Sequence, residues 1–365
     1  MYLPKLWRLS RERYTLTGIK CLSCGARLMS PRLVCPICEG EVEQVVRSVF
    51  PPLNSVDGNP QGEGSVVVSV LVPAYNAAAT IRQTLASLRA QNCTEAYEVI
   101  VVDSSDDGTD GIVAEEFPWA HLVHRPRQTD PGTARNLGIA QARGEVIACL
   151  DADCIVPPDW LERMLAAQRA GHPVVGGAVE IGNSYSLVAW AGYMGEFRDF
   201  LPVGVPRMVA HVPTCNISYH RSIFNRFGGF PTRFYPQEDL LYHWRLSHHG
   251  VAIWFDPNIC VRHVHRSTWR AYCQHLRRIG CITARVLKLT GEEGVFLARS
   301  PGLALLVAPV LPLVKWLRTI GVFISQQPEV LRKHALALVP FLLGLYVWAV
   351  GFVEGAWAPP LRVSQ

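Results

Sequence analysis

Two groups of side chains in this chain are spaced to do chemistry. Cys21-Leu-Ser-Cys24 and Cys35-Pro-Ile-Cys38 are CxxC knuckles separated by ten residues. Four thiolates so spaced suit one tetrahedral Zn²⁺, and the metal would supply the folding energy that so short a module lacks in apolar core, which makes it structural. A redox dithiol is the competing reading, but redox motifs come as a single CxxC on a thioredoxin-like unit. The second group is acidic. Asp103 ends the apolar run VIVV, and Asp151 and Asp153 follow the run VIACL. Hard oxygen ligands in an Asp-x-Asp spacing suit a divalent cation, Mn²⁺ or Mg²⁺, that holds a nucleotide diphosphate and offsets the charge on it. Short Asp-x-Asp strings are also common on solvated loops, so the weight of this one depends on the elements that carry it.

Those elements alternate. From Val66 the chain reads as apolar strands and helical segments in turn: VVVSVLVP, a helix over Thr80–Ala90, YEVIVVD, a helix from about Asp110, a helical stretch over Gly132–Ala142, then EVIACL. This is the β-α-β rhythm of an α/β domain, and it puts Asp103, Asp151 and Asp153 at the carboxyl edge of a sheet, where open α/β sheets bind ligands. Before it, PPLNSVDGNPQGEGS is a Pro/Gly/Asn/Ser linker over residues 51–65 that follows a Cys-rich module over residues 1–50. The remaining seven cysteines, Cys93, Cys149, Cys154, Cys215, Cys260, Cys273 and Cys281, are scattered and read as buried free thiols.

Four segments, VSVLVPAYNAAATIRQTLASLRAQ, EVIVVDSSDDGTDGI, PGTARNLGIAQARGEVIACLDADCIVPPDWL and GGFPTRFYPQEDLLYHWRL, follow one another in that order. Over about residues 66–290 the chain resembles the inverting family 2 glycosyltransferases of GT-A fold. That resemblance implies that Pro73, Ala74, Tyr75 and Asn76 line the nucleotide. Asp103 would hydrogen-bond the base, which favours uridine over guanosine. Arg135 would lie near the nucleotide and diphosphate, Asp151 would meet the ribose or the metal shell, and Asp153 would bind Mn²⁺ or Mg²⁺. Asp239 of the Glu238-Asp239 pair would be the general base that deprotonates the acceptor hydroxyl, across the sugar from the leaving diphosphate, so that the anomeric carbon inverts. Without the flanking GGF and WRL, the same pair would read as solvent-facing acids at a helix N-terminus.

The resemblance further implies that Asn216 and Gly228-Gly229 belong to the acceptor and donor-sugar region, where glycine permits close backbone approach. It makes His263 a further metal ligand, with His265 the weaker candidate. Gln274-His-Leu-Arg277-Arg278 is similar to the QxxRW signature of processive synthases, but Arg278 stands where tryptophan would be, which favours single addition. Arg277 and Arg278 would touch the diphosphate or an anionic lipid head group, or else form a basic helix face beside a membrane. The Cys-rich start also resembles the rubredoxin-like ribbon that precedes OB-folds in acyl-CoA-associated proteins, which implies either a docked protein partner or acyl handling.

Composition bounds what remains. With 35 Lys+Arg against 30 Asp+Glu in 365 residues, the net charge of +5 is too weak for a protein that coats nucleic acid. The odd count of 11 cysteines, four in one cluster, argues for a reducing compartment, and the N-terminus has no signal-peptide pattern. Within the C-terminal region 291–365, Ala335–Val353 has no charged residue and would form about 28 Å of helix, nearly a hydrocarbon core. Residues 335–355 are therefore expected to span, and residues 301–324, with Pro309 and Pro312, to lie at the interface. A single crossing keeps Arg332, Lys333 and His334 on the cytosolic side of an inner membrane. The competing reading is a buried helix of a soluble domain, since Pro340 and Gly344 interrupt the run.

The expectation is a transferase that moves sugar from a nucleotide-diphosphate donor to a lipid-linked or glycan hydroxyl. The alternatives are a non-catalytic nucleotide-sugar scaffold docked through its ribbon, and a nucleotidyltransferase, which would need a Gly-rich basic loop where VPAYNAAAT stands. Combining Cys21→Ser with Cys24→Ser is expected to release zinc and loosen the ribbon while donor hydrolysis stays largely intact. Zinc content and nucleotide release read the two separately, and equal loss of both would show that the ribbon supports the catalytic site.

Overall fold

The computed structural model describes residues 66–359, together with the backbone of three short strands nearer the N-terminus. Those strands, β1 (Gly18–Cys21), β2 (Arg27–Leu28) and β3 (Val42–Val45), pair antiparallel in the order β2-β1-β3. Cys21 closes β1, whereas Cys24, Cys35, Cys38 and the linker at 51–65 lie outside the described residues.

The main sheet starts with β4 (Val68–Ala74), α1 (Ile81–Arg89), β5 (Tyr97–Asp103), α2 (Thr109–Glu116), β6 (His121–His124), α3 (Pro131–Gln141) and β7 (Val146–Cys149). The expected alternation is present, and β7, β4, β5 and β6 run parallel in that order. β4 is apolar on both faces because both are covered: Val68, Val70 and Val72 pack in one core with Ile81, Leu85 and Leu88 of α1, and Leu71 packs in the other with Ala134 and Ile139 of α3. β5 and β7 flank β4 on opposite sides, so strand order reverses there and a crevice opens beyond the carboxyl ends. α3 enters that crevice from a well-made start, with Pro131 in its first turn and the Asp130 side chain accepting from the Thr133 N–H at 3.1 Å.

After β7 come β8 (Cys154–Ile155), α4 (Trp160–Arg169), β9 (Val174–Ile181), α5 (Leu187–Glu196), β10 (Arg207–Val209), β11 (Ile217–His220), α6 (Arg221–Phe227), α7 (Glu238–His248) and β12 (Ile253–His263). They extend the sheet to nine strands among the described residues, ordered β10-β12-β9-β11-β7-β4-β5-β6 with β8 on β12. β11 is antiparallel to both its neighbours, and the register of β9 against β12 slips between Asp256 and Cys260. The slip frees the Ile259 carbonyl, and Asn216 repairs it. Its Nδ2 donates to Ile259 O and Ala178 O, both at 2.8 Å, while its Oδ1 accepts from Trp160 Nε1 at 2.8 Å. Asn216 is fully buried. It therefore satisfies an irregular sheet, and the acceptor-side position expected for it is corrected to a structural one.

A helical layer follows: α8 (Trp269–Thr290), α9 (Val295–Arg299), α10 (Pro301–Val307), α11 (Leu311–Gln326), α12 (Pro328–Lys333) and α13 (Leu338–Trp357). α13 runs alongside α8, and the approach is close enough that a Cβ on Gly351 or Gly355 would strike the backbone of Arg277 or Cys281. Lys288 Nζ donates to the carbonyls of Gly355, Ala356 and Ala358 at 3.1, 2.6 and 2.9 Å, a cation at the carboxyl end of α13. Ala335–Trp357 has a mean hydropathy of 2.2 and is long enough to cross a bilayer, yet 44% of its most apolar window is buried inside the protein. α10 and α11 meet at a bend of 58° and, with α13, expose Leu306, Leu317, Val339 and Leu343. The scattered thiols are all free; Cys149, Cys154 and Cys215 are buried, and the four others are only partly so.

Gly351→Leu is expected to destabilise the protein by about 1–3 kcal/mol, because the added side chain has no volume to enter. Gly321→Ala, at a helical site with open space around it, is expected to be neutral or stabilising by up to about 1 kcal/mol. Thermal unfolding of the two variants beside the parent checks the α8–α13 contact.

Candidate active site

The crevice is a cleft of about 2090 Å³. Its floor is built on Arg135. This guanidinium, buried on α3, donates through Nη2 to Asp151 Oδ1 and through Nη1 to Glu238 Oε1, each at 2.7 Å, and stands 5.8 Å from the centre of the Phe230 ring. Burial opposes its charge, but Asp151 and Glu238 outweigh that and hold it protonated. Glu238 is itself buried, which raises its carboxyl against the pull of Arg135, and the neighbouring Asp239 charge adds to the rise. One side chain thus ties the end of β7 to the first turn of α7, and that turn presents Asp239 to the cleft. Asp239 Oδ2 accepts from the Thr214 N–H at 3.2 Å and Oγ1 at 3.4 Å, and Oδ1 accepts from the Leu240 N–H at 2.7 Å.

A second corner forms where β8 pairs with the end of β12. Asp153 Oδ1 lies 3.4 Å from His263 Nε2, with Cys154 Sγ in the same cluster. Burial pushes the Cys154 thiol well above its ordinary range, so it stays protonated and is a poor ligand. Burial also raises the Asp153 carboxyl, with His263 working against it. A carboxylate oxygen and an imidazole nitrogen facing one cleft are a donor set that fits Mn²⁺ or Mg²⁺, and Mn²⁺ accepts the imidazole more readily. Behind it, burial and then the His263 charge push His265 well below its ordinary range, and its backbone is held by Asn183. His265 supports His263 from beneath. Asp151, Asp153 and Asp239 line the same cleft as Cys215, whose thiol, against a hydrogen bond with Cys154 that lowers it, is pushed up by burial and by these carboxylates.

The nucleotide side is the turn after β4. Pro73, Ala74, Tyr75 and Asn76 line the cleft as expected, with Asn76 at φ 51°, a left-handed conformation that asparagine tolerates. The Asn76 N–H donates to Ser105 Oγ at 2.7 Å, and Ser105 Oγ donates to Asp103 Oδ1 at 2.5 Å. Asp103 Oδ2 accepts from the Ser105 N–H at 3.2 Å and lies 2.9 Å from His124 Nδ1. Asp103 is completely buried. Its carboxylate braces the turn from behind and does not face the cleft, so contact with a base is not where the structure puts it.

One further expectation, that for Gly229, is corrected, and Arg277 takes the outward, basic-face alternative. A Cβ on Gly229 would run into the side chain of Asn136, whose Nδ2 donates to Phe230 O and whose Oδ1 accepts from the Phe230 N–H, so this glycine packs its loop onto α3. Arg277 faces outward and pairs with Glu354 of α13. Arg278 does reach the cleft, with its guanidinium 5.4 Å from the centre of the Tyr235 ring. Sequence reasoning missed Arg266, which lines the cleft among the charges of Glu196 and Asp153 and the hydroxyl of Tyr235. Its place directly after His263-Val-His265 was the available signal. Thr214, which positions Asp239, had no such signal because their contact spans 25 residues.

Residues 69–228 match the profile of glycosyl transferase family 2. The chain is 29% identical over 228 residues to the pre-mycofactocin glycosyltransferase of Mycobacterium tuberculosis, a match covering 58% of this chain and 45% of that protein. It is 31% identical over 206 residues to glycosyltransferase AglE of Haloferax volcanii, covering 54% of this chain and 66% of that one. The chain therefore spans about half the length of the first of these curated relatives. Among solved structures, the mannosyltransferase PcManGT from Pyrobaculum calidifontis, in complex with GDP-Man and Mn²⁺, superposes with a TM-score of 0.52 at 20% identity, covering 80% of this chain and 87% of that chain. That likeness carries the fold. With the crevice at β4, these matches show that the chain has the mixed α/β, GT-A-like fold and that its residues 69–228 are similar to glycosyl transferase family 2.

Proposed function

We propose that the chain is an inverting, metal-dependent glycosyltransferase that moves a sugar from a nucleotide-diphosphate donor to an acceptor hydroxyl. The observation that carries the reading is that Asp239 and the Asp153–His263 corner line one cleft, with Arg135 fixing the geometry between them. Pro73 to Asn76 would hold the nucleotide. Asp153 and His263 would hold Mn²⁺ or Mg²⁺, which when bound offsets the charge that grows on the diphosphate. Asp239 takes the proton of the acceptor hydroxyl as its oxygen bonds to the anomeric carbon. The bond from that carbon to the diphosphate breaks, and its electrons leave with the nucleotide. Thr214 keeps Asp239 Oδ2 oriented, and Arg266 and Arg278 face the anionic side of the reaction. Asp103 is buried behind the turn, so the uridine preference rests on the resemblance alone. A non-catalytic scaffold fits less well, since it has no use for a positioned Asp239.

The exposed apolar residues of α10, α11 and α13 support attachment to the cytosolic face of a membrane, with a lipid-linked or glycan acceptor. α13 lies along α8, whose Arg270, Arg277, Arg278, Arg285 and Lys288 cannot enter hydrocarbon. Attachment by the free faces of these helices therefore accommodates the packing better than the crossing expected from residues 335–355.

Two measurements test this. With Mn²⁺ or Mg²⁺, purified protein is expected to release nucleotide from one member of a nucleotide-sugar panel. Asp153→Ala should abolish release, and Asp239→Asn should reduce it by about 10²–10⁴-fold, the usual range for a general base. Absence of both hydrolysis and calorimetric binding across the panel would overturn the reading. Leu306→Glu with Leu317→Glu is expected to shift the protein from sedimenting with anionic vesicles to the supernatant, and unchanged sedimentation would remove these helices as the attachment.

A further inference from the structure

The cleft does not end at the catalytic carboxylates. Beyond Phe197, whose ring centre is 5.2 Å from that of His263, the chain turns at Arg198. Arg198 Nη1 donates to Thr319 Oγ1 at 2.8 Å, and Thr319 Oγ1 donates to Lys315 O at 2.9 Å. Thr319 is fully buried, so this contact locks α11 onto the end of α5. It also brings Arg198, Lys315 and Arg318 to one stretch of the cleft wall. The carboxylate facing them is Asp199, 3.4 Å from Arg198 Nε and itself half exposed. Lys315 Nζ stands 3.7 Å from the centre of the Trp348 ring. Burial, then repulsion from Arg198 and Arg318, pushes its ammonium down to about 7. Among the described residues, three basic side chains stand here against the half-exposed carboxylate of Asp199, two of them guanidinium groups that keep their charge and one an ammonium poised near neutrality. Next to them the cleft becomes apolar, walled by Leu276 and Ile279 of α8 and by Phe341, Leu345 and Trp348 of α13.

We propose that the acceptor is an amphiphile, a phosphate group on an apolar chain, with the phosphate on Arg198, Lys315 and Arg318 and the chain against the α8–α13 wall. This rests on the transferase reading and names its acceptor class. A phosphate satisfies three converging cations better than a carboxylate does, because it offers more charge and three acceptor oxygens. The seat lines the same cleft as Asp239 and His263, so an acceptor whose phosphate is held there can carry a hydroxyl on its head group to that base.

The test is calorimetric titration of the full chain in non-ionic detergent, with the heat of titrating detergent alone subtracted, using decyl phosphate, decanoate, decanol and inorganic phosphate. Decyl phosphate is expected to bind at least tenfold tighter than each of the other three. Lys315→Met with Arg318→Gln should weaken it at least tenfold, and Lys315→Arg should retain it, which separates a lost charge from a lost fold. Equal binding of decanol or decanoate, or no effect of the double variant, would overturn the proposal, and so would inorganic phosphate binding as tightly as decyl phosphate. Nucleotide-sugar binding with Mn²⁺ is measured beside it on the parent protein. A failure of the transferase reading shows there, and a failure of this inference shows in the alkyl phosphate titration.

Discussion

The site depends on one buried cation. Arg135 contacts carboxylates from two parts of the chain that otherwise have no reason to meet, Asp151 at the end of a parallel strand and Glu238 at the start of a helix 87 residues later. Taking this charge out of water is costly, and only two well-aligned, charge-assisted contacts offset the loss. Lysine could not replace it, since a single ammonium lacks the planar fork that reaches both partners at once. The consequence is positional. With Glu238 anchored, the first turn of α7 cannot drift, and Asp239, whose side chain leaves that turn toward the cleft, is held at a fixed place relative to the strand that carries Asp153.

A second constraint acts from outside the nucleotide-binding half. α8 and α13 pack backbone to backbone through glycine, and α11 is tied to the end of α5 by Arg198 and Thr319. These helices therefore form the far wall of the cleft. Their packing explains how one segment can be apolar enough to cross a bilayer and still have nearly half of its most apolar window inside the protein. The same face cannot serve both a lipid and α8, and α8 carries too many cations to follow it into hydrocarbon.

The parallel half of the fold was legible because its strands are apolar on both faces and alternate with helical segments, and its carboxylates fall at strand ends, all local features. Pro73 to Asn76, Asp153 and Asp239 each sit in one of the ordered segments, His263 lies at the end of a later strand, and all of them line the one cleft. What sequence could not show was which polar residue faces the cleft and which is consumed in building it. Asp103 and Asn216 lie in the right segments, yet one braces a turn through Ser105 and His124, and the other repairs a register slip between β9 and β12. The Asn216 role comes from contacts made across tens of residues, and that of Asp103 joins the local Ser105 to His124, 21 residues on. Arg277 and Arg278 are adjacent in sequence, but a step of about 100° on a helix sends one to Glu354 and the other to the cleft.

Charge along the chain separates the two tasks. Residues 265–365 carry 12 Lys+Arg against 4 Asp+Glu, whereas residues 1–264 carry 23 against 26. The catalytic half is thus acidic where it gathers carboxylates, and a polyanionic donor entering it would meet repulsion. On the proposed mechanism that repulsion would be offset by a divalent ion held by Asp153 and His263 and by Arg266 and Arg278, from the segment that begins the basic half. The remaining positive charge is spread over α8 and the helices after it, on the side where apolar residues are exposed. For the proposed amphiphilic acceptor, a basic, apolar surface joined by one cleft to the carboxylates would suit its approach, while the charged donor would enter from the side of the β4 turn. Such a division of charge fits a reaction in which two anionic reactants meet in a single cleft.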